Sequence, residues 1–204
     1  MLFDDTYLTI ERPSEGIFRD RGSKFLAYAH PIISEQDIKP IITNLKQEHS
    51  KANHHCYAIR LSADRSVFRI NDDGEPSGTA GRPILNVLLS RNLTNVAVVV
   101  VRYFGGTLLG VPGLINAYKT TAELALNNAK VVERTVKDIY TVSFDYLQMN
   151  EMMRIIKDEN LEVLEQQFDN NCTIKVSIRK MLVNPVLARL QKLDSVSVKY
   201  LSTL

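Results

Sequence analysis

Four consecutive valines at residues 98–101 constrain the fold of this chain more than any other feature. A continuous β-branched run is typical of a strand buried on both faces, so residues 96–104 are predicted to form such a strand. Glycines and a proline punctuate residues 105–113 directly after it, and an apolar face at helical spacing begins at Leu114. A buried strand that leads through a glycine-rich turn into a helix predicts an α/β module in which helices cover a sheet.

Hydrophobic periodicity divides the chain near residues 131–138, where a helical pattern ends and strand alternation begins. We predict a first domain over residues 1–134 and a second over residues 135–204. The segment around residues 7–10 is a candidate partner for the first strand of the N-terminal sheet. The other strands expected in this domain lie at residues 24–31, 53–61, 66–70 and 96–104, and helices are expected after Ser34, near Pro83 and near Pro112.

The second domain is predicted to run strand, helix, strand, strand, helix, strand. This order is the ferredoxin-like βαββαβ sandwich. Residues 169–171 are predicted to be a hairpin turn, and Asn184 is predicted to cap the last helix. The expected fold class is therefore α+β, an N-terminal α/β sandwich followed by a ferredoxin-like domain.

Composition excludes several classes of protein. The 204 residues include 25 Lys and Arg against 23 Asp and Glu, so any nucleic-acid contact must come from a local basic cluster. No apolar stretch approaches the roughly 20 residues that span a bilayer, and the N-terminus lacks a secretory pattern, so we expect a cytoplasmic protein without membrane contact. Two distant cysteines, Cys56 and Cys172, favour reduced thiols. Oligomeric state is left open.

The loop at residues 72–83 carries three acids, Asp72, Asp73 and Glu75. Three interpretations are open: capping of backbone N–H groups before a helix, a divalent-cation or catalytic site, and charge pairing with Arg82 or Arg102. The spacing does not match an EF-hand loop, which needs acids at alternate positions. The remaining polar members of this loop are Ser77 and Thr79.

Two further motifs resemble ligand sites without matching a template. Residues 105–113 lie between a strand and the start of a helix, where backbone N–H groups can bind an anion. They lack the P-loop and dinucleotide-binding patterns. The glycines equally suit a tight turn against a packed backbone. His54 and His55 are adjacent on a strand and therefore point to opposite faces, which favours packed or hydrogen-bonded histidines over zinc ligands. No catalytic residue, metal site or cofactor is predicted.

Basic and aromatic side chains recur around these loops. Aromatic faces beside cations suit single-stranded RNA, although solvated charges around a core would produce the same pattern. The candidate residues for contact with RNA or phosphate are Lys24, Arg82, Arg102, Tyr103, Gly105 and Gly106.

Four ordered blocks, at residues 22–25, 52–58, 72–83 and 101–107, resemble the signature of the YigZ/IMPACT family. The resemblance implies a first domain like domain IV of elongation factor G and a second like its domain V, both of which meet RNA on the ribosome. It carries no settled enzymatic activity, and eukaryotic members are tied to control of translation initiation. The family has Lys where this chain has Leu108, which leaves Arg82 and Arg102 as the stronger phosphate contacts.

The sequence thus predicts a non-enzymatic protein that binds RNA or the ribosome and regulates translation. One alternative is an enzyme or small-ligand binder in which the acids of the 72–83 loop face Arg102 and the glycine-rich loop across a phosphate or metal pocket. Another is a module whose protein partner contacts this loop surface.

Overall fold

The computed structural model describes residues 5–168 and 172–203, and within them the chain is a mixed α+β protein with three sheets. This confirms the predicted class, while the likeness to domains IV and V of elongation factor G stays a prediction. The described residues form two compact units, Tyr7–Arg134 and residues 135–203 with Asp5 and Thr6. None of their helices is both long and apolar enough to cross a membrane.

The first unit contains seven strands in two sheets. They are β1 (Thr6–Ile10), which begins one residue before this unit, β2 (Ser14–Asp20), β3 (Ser23–Pro31), β4 (His54–Leu61), β5 (Val67–Asn71), β6 (Val96–Tyr103) and β7 (Val131–Thr135), which ends one residue beyond it. The larger sheet has the antiparallel order β2-β3-β6-β4-β5, and β1 pairs separately with β7. The valine-rich strand β6 is central, and its residues 96–101 are fully buried, as their sequence predicts.

Three helices cover this sheet unequally. They are α1 (Ile38–Glu48), α2 (Gly81–Ser90) and α3 (Gly110–Asn127). Val98 and Val100 point into the core formed with α2 and α3, whereas Val99 points to the opposite face, where α1 packs on β4 and β6. On that opposite face, Tyr28 of β3 packs against the core formed with α1, and Ile17 of the edge strand β2 is 53% exposed.

Two predictions for this unit were wrong. Residues 7–10 do not pair with β3, because β1 pairs with β7 and the partner of β3 is β2. Hydrophobic periodicity does not predict strand β2, because Gly16 interrupts its pattern. Glycine is needed there because a Cβ would lie 2.4 Å from the backbone nitrogen of Ala125 in α3. Residues 131–135, where the sequence predicts the end of a helical pattern, form β7.

The second unit has the predicted βαββαβ order. Its elements are β8 (Lys137–Phe144), α4 (Met149–Asp158), β9 (Glu162–Phe168), β10 (Cys172–Arg179), α5 (Val183–Leu190) and β11 (Ser197–Thr203), in an antiparallel sheet of order β11-β8-β10-β9. Asn184 lies inside α5 and does not cap it, because a 3-10 turn at Lys180–Leu182 already leads into the helix. The predicted turn at 169–171 lies outside the described residues.

Candidate functional site

Two of the predicted loops meet at one end of the five-stranded sheet. In the register of the sheet, Arg102 on β6 lies opposite Phe25 on β3 and His54 on β4. The next residue, Tyr103, lies opposite Lys24. Neighbouring residues of a strand point to opposite faces of the sheet. Arg102 and His54 therefore point toward the α3 face, whereas Tyr103 and Lys24 point to the α1 face.

Arg102 and Glu75 form a buried ion pair below the first of these faces. Nη1 of Arg102 donates to Oε1 of Glu75 at 2.6 Å, and the two residues are 5% and 8% exposed. Charges removed from water persist only when they are paired and hydrogen-bonded. Arg102 is therefore already neutralised inside the protein, so its guanidinium is not a free group for a solvent phosphate.

Aromatic rings and a hydroxyl hold the Arg102 guanidinium in place. Its central carbon lies 5.4 Å from the ring centroid of Phe25 and 5.5 Å from that of Phe104. Nη2 approaches the hydroxyl of Ser23 at 3.4 Å, and Nε is buried without a hydrogen-bond partner among the described residues. Stacking of this kind stabilises a cation where water is excluded.

Tyr118 and Cys56 extend the buried network behind Glu75. The Tyr118 hydroxyl donates to Oε1 of Glu75 at 2.7 Å, and the Cys56 thiol lies 3.3 Å from that hydroxyl. Burial raises the pKa of Cys56 far above its usual range, and burial likewise raises the pKa of Tyr118. Cys56 is therefore a protonated core thiol, not an activated nucleophile. The sequence signal for this role is the Tyr118 hydroxyl on an otherwise alanine-rich helix face.

Asp72 caps helix α2. Its carboxylate accepts hydrogen bonds from the backbone nitrogens of Gly78, Ala80 and Gly81 at 2.7 to 3.1 Å. A carboxylate at a helix start satisfies orphan N–H groups and interacts favourably with the helix dipole. Of the interpretations open for Asp72 in the sequence, capping is the one that this geometry shows.

Asp73 joins the acidic loop to β4. One of its carboxylate oxygens accepts the backbone N–H of His55 at 2.6 Å, and its carbonyl accepts from Nδ1 of His54 at 2.8 Å. Lys46 of α1 lies 3.8 Å from the other carboxylate oxygen. The two histidines point to opposite faces, as strand alternation predicts. Among the described residues no group of three His, Cys, Asp or Glu side chains is placed to hold a metal ion.

The remaining loop candidates separate from this cluster. Thr79 is buried and donates to the carbonyl of Pro76, whereas Ser77 is exposed. Arg82 is exposed on α2, and its guanidinium lies 5.9 Å from the ring of Phe68 on β5. Strands β2 and β5 are the two opposite edges of the sheet, so the fold does not bring Arg82 together with Lys24 or Arg102.

The two candidate glycines have different roles. A Cβ on Gly105 would lie 1.9 Å from the carbonyl carbon of Gly22, so this position tolerates only glycine. Gly106 has a φ of +85° and open space around it. The backbone nitrogen of Gly105 donates to the Ser23 hydroxyl at 3.1 Å, which leaves it engaged within the protein.

An apolar pocket with a volume of ≈ 430 Å³ opens where the loop after β6 passes the buried ion pair. Its polar floor includes His54, Glu75 and Arg102. Leu108 is 81% exposed at the rim. The remaining lining residues are Asn53, Pro76, Phe104, Leu109, Gly110, Val111 and Leu114. A concave, mainly apolar site with a few convergent polar groups is the usual form of a ligand pocket.

A basic and aromatic row lies on the other face of the same sheet end. Arg19 on β2 pairs across the sheet with Lys24 on β3, and Lys24 pairs with Tyr103 on β6. His49 hydrogen-bonds both the Tyr103 hydroxyl, at 2.9 Å, and the Tyr28 hydroxyl, at 2.6 Å. Burial, followed by the nearby Glu48 charge, raises the pKa of Tyr28 to about 12. Tyr103 is therefore held in a fixed position beside the cations.

These features define a two-unit α+β protein whose first unit carries an apolar pocket over a buried ion pair. Residues 21–126 match the family described as the Impact N-terminal domain. The chain is 32% identical to "IMPACT family member YvyE" of Bacillus subtilis (strain 168), over 88% of this chain and 82% of the relative. It is 26% identical to "IMPACT family member YigZ" of Escherichia coli (strain K12), over 97% and 98%. The chain therefore belongs to the IMPACT family.

A solved structure agrees with the described fold. The crystal structure titled as that of an hypothetical protein covers 98% of this chain and 99% of its own, with a TM-score of 0.74 and 25% sequence identity. The match extends over both units of this chain.

Proposed function

We propose that this protein binds single-stranded RNA, on the ribosome or free, and regulates translation in the cytoplasm without catalysing a reaction. The observation that carries the proposal is the row of Arg19, Lys24 and Tyr103 at one end of the α1 face of the sheet, where Arg19 is exposed and the other two are partly exposed. We name this row the basic face.

The cations of the basic face are available to a partner. Arg19 is exposed and Lys24 partly exposed, and neither makes an ion pair within the described residues. Arg102, by contrast, is committed to Glu75. Because phosphate contacts release counterions from the nucleic acid, unpaired Lys and Arg on one face favour RNA binding even in a chain of low net charge.

Tyr103 supplies the aromatic component. An aromatic side chain beside backbone-neutralising cations stacks on an unpaired base with little sequence preference. The bond from His49 restricts the Tyr103 ring, so less conformational freedom is lost when a base binds. Helix α1 ends at Glu48, and beyond it Arg19 on β2 is exposed and Lys24 on β3 is partly exposed, so a strand of RNA can reach both cations.

Family membership supports the connection to translation. The signature blocks that place the chain in the IMPACT family include the residues around the basic face, and the expected likeness to domains IV and V of elongation factor G points to ribosomal RNA as the class of partner. Fold analogy is a weaker warrant than site chemistry, so the test addresses the site.

The test is binding of the full chain to a fluorescent single-stranded RNA while salt is raised. We expect the logarithm of the association constant to fall linearly with the logarithm of salt concentration. Absence of binding at low salt would overturn the proposal. The alternative of a metal or phosphate pocket gains less support from this geometry, because Asp72 caps a helix and Glu75 neutralises Arg102.

A further inference from the structure

Two residues that line the apolar pocket, His54 and Glu75, each carry a hydrogen-bond acceptor. Nδ1 of His54 contacts the carbonyl of Asp73, and because a carbonyl only accepts, Nδ1 carries the hydrogen. In the neutral ring Nε2 is then an acceptor. It lies 3.9 Å from Oε1 of Glu75, which is too long for a direct hydrogen bond. No described residue donates a hydrogen bond to both Nε2 of His54 and Oε1 of Glu75.

The charge of the floor selects a neutral ligand. The Glu75 carboxylate is already matched by Arg102, so an added cation would leave an uncompensated charge in an apolar site. Glu75 receives its hydrogen bonds from Arg102 and Tyr118 through Oε1, and its Oε2 accepts none from the described residues. A neutral group with two adjacent N–H donors would supply the hydrogen bonds that Oε2 of Glu75 and Nε2 of His54 lack among the described residues.

The walls of the pocket select a flat apolar body. Phe104, Leu108 and Val111 surround a volume of ≈ 430 Å³, which is ample for a single heterocycle. Proteins that read an unstacked base bury it between aromatic or apolar side chains and hydrogen-bond its pairing edge.

We propose that this pocket binds one unstacked guanine base of a single-stranded RNA. Guanine is the standard base whose pairing edge offers two adjacent donors, the N1 hydrogen and the 2-amino group. The inference rests on the proposed RNA binding, because Tyr103 of the basic face is the chain neighbour of Arg102 and Phe104, which both line the pocket. A strand held on the basic face therefore reaches the same end of the sheet as the pocket.

The experiment is an NMR titration of the full chain with guanosine, inosine, adenosine and uridine. We expect guanosine to shift the amide signals of Phe104, Leu108 and Val111 saturably. Inosine lacks the 2-amino group and should bind about 3- to 10-fold more weakly, the value of one hydrogen bond. No saturable shift at the solubility limit of guanosine, or equal affinity for all four nucleosides, would overturn the inference.

A matched pair of variants tests the contact with His54 without disturbing the buried ion pair. His54→Leu should abolish the preference for guanosine over inosine, whereas His30→Leu, at the other end of β3, should retain it. Preference retained in His54→Leu would contradict the assigned contact. Salt-dependent RNA binding without guanosine binding would overturn only the proposal that the pocket binds guanine. Guanosine binding without RNA binding would overturn only the proposal that the basic face binds RNA.

Discussion

Nη1 of Arg102 lies 2.6 Å from Oε1 of Glu75, and the two residues stand 27 positions apart in the chain. This contact joins the loop before α2 to the end of the central strand, so it fixes the geometry of both the pocket floor and the loop that forms its rim. The residue that looked in the sequence like a phosphate contact is instead a support for the site around it.

Removing one partner of this pair should destabilise the protein strongly. Glu75→Leu leaves the Arg102 charge buried and unpaired, and we expect a loss of about 3–5 kcal/mol in the free energy of unfolding. The double variant Glu75→Leu/Arg102→Met should recover much of this loss, because no uncompensated charge remains. Urea unfolding measures both variants. A double variant as unstable as the single one would refute this account of the pair.

The cap on helix α2 gives a second prediction. Asp72→Ala deprives three backbone N–H groups of their acceptor and should lower stability by about 1–2 kcal/mol. Ser77→Ala, in the same loop and exposed, should change stability by less than about 0.5 kcal/mol. Thermal unfolding of the two variants compares them directly, and equal effects would show that Asp72 is not a cap.

Substitutions at two adjacent glycines distinguish the stability cost of a steric clash from that of a strained backbone. Gly105→Ala forces a methyl group into the backbone of Gly22 and should cost about 3 kcal/mol, at the upper end for overpacking. Gly106→Ala meets open space and should cost only the strain of a positive φ, about 1 kcal/mol. Chemical unfolding ranks the two; a larger effect at Gly106 would contradict the close approach of the two loops.

His55 should make stability depend on pH. Burial lowers the pKa of this imidazole below its usual range, with a smaller opposing effect from Asp73. The unfolded chain therefore binds more protons than the folded chain as pH falls through the ordinary histidine range, so stability is full above about pH 7 and decreases toward pH 5. His55→Leu should decrease less over this range. Identical pH profiles for the two proteins would exclude His55 as the cause.

Local chemistry explains which parts of the fold were predictable. The valine run at residues 98–101 specified the central strand because β-branched side chains on both faces leave few alternatives. The βαββαβ order of the second unit followed from regular alternation. Strand β2 was missed because Gly16 is there for its close approach to α3, a contact between residues far apart in sequence.

The position of the site was predictable from the sequence, whereas the roles of its individual residues were less so. The loop at residues 72–83 and the end of β6 do meet, as their unusual composition suggested. The sequence does not reveal that Glu75 neutralises Arg102, because that pairing depends on the loop folding back over the sheet. It also does not reveal which of two adjacent residues, Arg102 or Tyr103, points into the core, because the continuous apolar run before them lacks alternation.

The most direct test of the proposed function compares the salt dependence of RNA binding in two double variants of equal charge. Arg19→Gln/Lys24→Gln removes the cations of the basic face, and Lys39→Gln/Lys119→Gln removes two cations at the start of α1 and on α3. We predict that the first variant binds more weakly, with a salt slope shallower by about 1.4, since each phosphate contact contributes about 0.7 for a single strand. The control should keep the slope of the natural sequence. Equal slopes in the two variants would contradict RNA binding at the basic face.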